Sequence, residues 1–87
     1  MASYRVLIKA SAAKEIEAVD PKKDRQRIVA AIRSLADDPR PAGCEKLAGE
    51  DDRYRIRVGR YRIIYSIGDD ELLVFVVRIG HRKDVYR

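Results

Sequence analysis

The chain has 87 residues and a formal net charge of +5 at neutral pH, a length that builds one hydrophobic core and excludes a second, so residues 1–87 read as a single domain. No run approaches the about 18 apolar residues of a membrane span. The N-terminal MASYRVLIKA lacks the apolar block and cleavage site of a signal peptide, and the lone Cys44 has no partner for a disulfide and no Cys or His at metal-ligand spacing. These features describe a cytoplasmic protein without a membrane segment, a metal or another cofactor.

In chain order, residues 3–9 alternate as a β-strand, with Tyr4, Val6 and Ile8 on one side. Ser11 is placed to cap a short helix running to about Val19, with Ala12, Ile16 and Val19 on one face. Asp20-Pro21 reads as a second helix start, Asp as N-cap and Pro at the first position. Ile28, Ile32 and Leu35 follow at helical spacing, and Asp38-Pro39 ends the helix because a residue before proline avoids the α region. Residues 39–52 read as a loop. Three strands follow, near 53–58, 60–67 and 72–79, joined at Gly59 and at the GDDE turn. The last residues, GHRKDVYR, are too polar for a central strand. The order β-α-α-β-β-β predicts an α+β fold, two N-terminal helices packed on a mainly antiparallel four-stranded sheet.

Within residues 53–67 the chain carries Arg53, Arg55, Arg57, Arg60 and Arg62 and no acid. The other 14 basic residues are matched by 14 acidic ones, so this one segment holds the whole excess charge. Strand alternation puts Tyr54, Ile56 and Val58 on one face and Arg53, Arg55 and Arg57 on the other. In the next strand Tyr61, Ile63, Tyr65 and Ile67 lie opposite Arg60 and Arg62. A tight turn at Gly59-Arg60 pairs Val58 with Tyr61 and Ile56 with Ile63, and it sets Arg57 across from Arg62. Like charges so opposed cost a few tenths to about 1 kcal/mol. Strand stability gives no reason to keep that pair, whereas an anion between them does. The planar guanidinium suits phosphate, to which it can donate two hydrogen bonds. If the last strand pairs beside 60–67, His81, Arg82, Lys83, Tyr86 and Arg87 return toward the Gly59 end. The GDDE turn allows two registers, which differ in the face presented.

From Leu47 onward, the pattern KLAG…DRYRIRVGRYRIIYSIGDDELLVFVVRIGHRKDVYR resembles the RelE branch of the RelE/ParE toxin superfamily. The likeness rests on Leu-x-Gly, a Tyr-basic-Ile-basic strand and Tyr-Arg-hydrophobic-hydrophobic-Tyr. A hydrophobic strand, basic residues and a final Tyr complete it, and the element order agrees over the whole chain. The resemblance implies a type II toxin that cleaves messenger RNA in the ribosomal A site without metal. It also implies silencing by a tightly bound acidic, RelB-like antitoxin in a toxin–antitoxin hetero-oligomer. The family's functional positions fall at Arg55, Arg57, Arg62, Arg82 and Tyr86. In the best-known members the first two are lysines. An arginine keeps its charge at any physiological pH, so Arg55 and Arg57 can hold phosphate but cannot act as a base.

Proton handling is left to Tyr86 or to His81, the one side chain with an ordinary pKa near neutrality. Lys46, Arg53, Arg60, Lys83 and Arg87 are the basic neighbours expected to attract RNA. Two rivals remain at this point: a ParE-like toxin that inhibits DNA gyrase without nuclease activity, and an RNA-binding domain that does not cleave.

Overall fold

The computed structural model describes residues 3–49 and 52–81. Among the candidate residues, Arg82, Lys83, Tyr86 and Arg87 lie outside that range. The elements are β1 (Arg5–Ile8), α1 (Ala10–Glu17), α2 (Lys22–Ser34), β2 (Glu45–Lys46), β3 (Arg53–Val58), β4 (Tyr61–Gly68) and β5 (Leu73–His81). They form one mixed sheet in the order β1-β5-β4-β3-β2. β1 runs parallel to β5, and the other three pairings are antiparallel. The α+β architecture is thus the expected one, with a fifth strand. β2 arises inside the segment read as a loop, where two residues pair with the outer edge of β3.

Helical spacing decides how the helices cover the sheet. Ala12 and Ile16 lie one turn apart on α1, with Val19 just beyond, and all three are buried. Ile28 and Ile32 of α2 and the following Leu35 are buried likewise. They close over Ile56, Ile63, Tyr65, Ile67, Val74, Val76 and Ile79 from one face of the sheet to make a single core. Each such buried aliphatic side chain contributes about 1.5–3 kcal/mol of transfer free energy. Tyr65 is fully buried, yet its hydroxyl donates a 2.8 Å hydrogen bond to the Pro39 carbonyl oxygen. That bond satisfies the phenol and fastens the chain leaving α2.

Both helix starts depart from expectation. Lys9 precedes α1 and Pro21 precedes α2, each without a side-chain cap bond. Ser11 lies inside α1 rather than capping it, because the chain turns into the helix directly from β1: Lys9 N–H bonds Val76 and its carbonyl receives Ala13 N–H. Asp20 likewise stands one residue outside the α2 cap position. No helix among the described residues covers the second face of the sheet. That face carries the arginines.

Candidate functional site

The β3–β4 hairpin has the expected register, with Val58 opposite Tyr61, Ile56 opposite Ile63, and Arg57 opposite Arg62. Gly59 makes it possible. Its φ of +58° lies in the left-handed region, which a two-residue hairpin turn requires at that position and which costs glycine nothing. Arg53 and Arg55 follow along β3, opposite Ser66 and Ile64. Arg53, Arg55, Arg57 and Arg62 therefore share the face that the helices leave uncovered.

The four side chains differ in environment. Arg57 is exposed, and Arg53 and Arg55 are half-buried. Arg62 is only 4% exposed, with Nε and Nη1 withdrawn from solvent. The cause is position: β4 is the central strand, so an outward side chain there is flanked by those of β3 and β5. A guanidinium in that setting cannot shed its charge, so a well-defined, poorly hydrated cation is built into the sheet.

An acid not considered in the sequence reading also stands on this face. Glu45 pairs with Arg55 across β2 and β3, and its Oε1 lies 3.1 Å from Arg55 Nη2. The five arginines have no acid within their own segment, but Arg55 is answered from β2. Only the pairing of a two-residue strand discloses this. A fifth arginine, Arg78 of β5, lies opposite Ile64 and shares this face. The hydrophobic run around it gave no sign of which way it would point.

Other expected site residues sit elsewhere. Lys46 pairs with Tyr54 and so takes the helix-side face, opposite to Glu45 and Arg55. Arg60 is exposed at the hairpin turn. His81 pairs with Tyr61, and their rings meet edge-on at 5.8 Å between centroids. With Tyr61, His81 belongs to the helix-side face. It lines a cavity of about 530 Å³ together with Arg60, Tyr61, Asp20 and Asp24. The sheet thus separates His81 from Arg55, Arg57 and Arg62. No group of His, Cys, Asp and Glu suited to holding a metal ion occurs among the described residues.

At the far end of the sheet a polar cluster closes the fold. Asp69 accepts hydrogen bonds from Arg40 Nη2 at 2.9 Å, Arg40 Nη1 at 3.2 Å and the Tyr4 hydroxyl at 2.7 Å. Those donors hold its carboxyl at about 2, below the usual carboxylate range. The same Asp69 contact raises Tyr4, and burial pushes the Tyr65 phenol far above its ordinary value. The Arg40 guanidinium also lies over the Tyr54 ring, 5.2 Å from its centroid. This cluster shares no residue with the arginine face. Its work is to join β4–β5 to the chain on either side.

Comparison with known proteins identifies the family and the fold. The profile of a family described as the ParE toxin of the type II toxin–antitoxin system parDE matches residues 6–86. The chain belongs to this ParE toxin family. Within it the toxin is similar to proteins that carry RelE names. It is 32% identical over 87 residues to a RelE-like toxin protein of Escherichia coli, covering 95% of this chain and 90% of that one. It is 29% identical over 87 residues to toxin RelG of Mycobacterium tuberculosis, covering 97% of each. Its fold matches the archaeal RelE–RelB complex of Pyrococcus horikoshii with a TM-score of 0.82 at 29% identity, over 92% of this chain and 96% of that one. The protein is a RelE-like toxin in sequence and in fold.

Proposed function

We propose that this toxin is a ribosome-dependent endoribonuclease that cuts messenger RNA and so stops translation. The observation that carries the reading is the Arg57–Arg62 opposition, with Arg55 beside it, on the sheet face that no described helix covers. A phosphate lying between the two guanidiniums turns their repulsion into binding.

RNA supplies its own nucleophile. The 2′-oxygen bonds to the adjacent phosphorus, the 5′-oxygen leaves with a proton, and a cyclic phosphate remains on the upstream fragment. The protein has three tasks: to align the attack, to stabilise the extra negative charge on phosphorus, and to move two protons. Arg55, Arg57, Arg62 and Arg82 take the first two. Tyr86 takes a proton-handling role, since the arginines cannot give up theirs. His81 is the alternative for that role, but its ring turns with Tyr61 to the other side of the sheet. Arg53, Arg60, Lys83 and Arg87 draw in the RNA backbone, with Lys46 adding charge at the β2 edge. The reading needs no metal, because the arginines supply the charge. An acidic, RelB-like antitoxin silences the toxin in the cytoplasm as a hetero-oligomer, a reading supported by the Pyrococcus relative solved with RelB.

A translation reaction followed by mapping of messenger 5′ ends tests this. Cuts are expected only in ribosome-bound messenger, slowed strongly by Tyr86→Phe and little by His81→Gln. The opposite ranking would move the proton role to His81, and no cutting would reject the reading. The ParE description of the family profile favours one rival, a gyrase inhibitor without nuclease activity. That protein would block gyrase supercoiling and leave messenger whole.

A further inference from the structure

β5 is not a regular strand. Ile64 pairs with Arg78 but Tyr65 pairs with Val76, so Val77 is an extra residue in a bulge. Strict alternation from the buried Val76 would turn Arg78 into the core and Ile79 out. With the bulge Ile79 is buried, 3% exposed, and Arg78 stands exposed on the arginine face.

Its place there is well defined. Glu45, Arg55, Ile64 and Arg78 form one row across β2, β3, β4 and β5. Arg57, Arg62 and Gly80 form the next row. Adjacent strands are about 4.8 Å apart, so Arg55 and Arg78 flank Ile64 with about 10 Å between their backbones. The two rows are about 7 Å apart along the strands. Ile64, 9% exposed, forms an apolar floor between the two cations. Gly80 adds no side chain beside Arg62.

We propose that Arg78 and Ile64 form a subsite for the nucleotide next to the scissile phosphate, Arg78 binding that neighbour's phosphate and Ile64 supporting its sugar. The inference rests on the nuclease reading, in which the Arg57–Arg62 row holds the scissile phosphate. The offset between the rows is comparable to the step between consecutive phosphates of a single strand. A bulge that re-aims a cation onto a binding face is a common use of that irregularity.

The test uses ribosomes programmed with messenger carrying a 2′-deoxy sugar at the cleavage site, so that toxin binds without cutting. Arg78→Gln should weaken binding about ten-fold, as expected for one charge-assisted contact. It should also reduce the slope of log affinity against log salt by about 0.7, one single-strand phosphate. Replacing the neighbouring phosphate by a neutral methylphosphonate, on each side in turn, should weaken the parent on one side only and leave Arg78→Gln unaffected there. On cleavable messenger Arg78→Gln should raise KM more than it lowers kcat. An unchanged salt slope, or a methylphosphonate that weakens both proteins equally, would overturn the subsite. A methylphosphonate at the scissile position that costs the parent nothing would instead overturn the nuclease reading beneath it.

Discussion

Arg57 and Arg62 share a rung of the ladder but not an environment, and variants there should separate accordingly. Arg57 is exposed, so Arg57→Ala removes one partner of a like-charge pair and, on the nuclease reading proposed above, a phosphate donor. Cleavage should fall about 10²–10³-fold, while thermal melting shows a fold as stable as the parent or slightly more so. Loss of activity only through unfolding would make the arginine face structural. Arg62 is buried, so truncation to Ala also removes a packed stem; Arg62→Met keeps that volume and isolates the charge. Glu45 makes a different prediction. Its carboxylate pairs with Arg55, so on the nuclease reading it competes with phosphate there, and one negative charge about 6 Å from the site in a watery setting opposes binding by about 0.7 kcal/mol. Glu45→Gln should therefore tighten RNA binding about three-fold, measured on uncleavable messenger. If cutting slowed while binding tightened, the carboxylate would be the group that takes the 2′-hydroxyl proton.

Between elements, Asp69 is the fastening whose effect depends on pH. It ties the β4–β5 turn to Arg40, beyond α2, and to Tyr4, ahead of β1. Its folded pKa of about 2 lies below the usual carboxylate value. A depressed folded pKa means stability that is complete above about pH 4 and lost as pH falls toward 2. At neutral pH Asp69→Asn should melt below the parent, and the gap should close between pH 4 and 2; a constant gap would assign the loss to packing. Neither Asp69 nor Arg40 carried a signal in the sequence, since their meeting depends on how loops converge. What was legible followed strict periodicity. The two helix stripes, the β3–β4 register set by Gly59 and the arginine alternation all emerged as read. β2 was not, because two residues have no period. The Val77 bulge was hidden in a run apolar on both sides, and with it went the direction of Arg78. Ser11 and Asp20 looked like caps, but connections from neighbouring elements set where each helix begins.

At the scale of the whole molecule the uncovered sheet face has two halves. The β3–β4 half is cationic. The β1–β5 half carries an apolar patch between Arg5 and Arg78, with Leu7 opposite Phe75 and Leu7 42% exposed. A partner that covers both must be acidic along one side and apolar along the other, which fits an amphipathic antitoxin segment that orders on binding. The two halves should then control different rates. Long-range attraction to the arginines sets the approach, so the association rate should fall at least ten-fold from low to high salt, and Arg57→Gln should lower it further. Contact with the apolar patch forms after encounter, so Leu7→Ser should speed dissociation and leave association unchanged. Stopped-flow mixing with the cognate antitoxin measures both. An association rate indifferent to salt would remove the arginine face from antitoxin recognition. A dissociation rate indifferent to Leu7→Ser would confine the antitoxin to the cationic half, leaving Leu7 and Phe75 exposed in the complex.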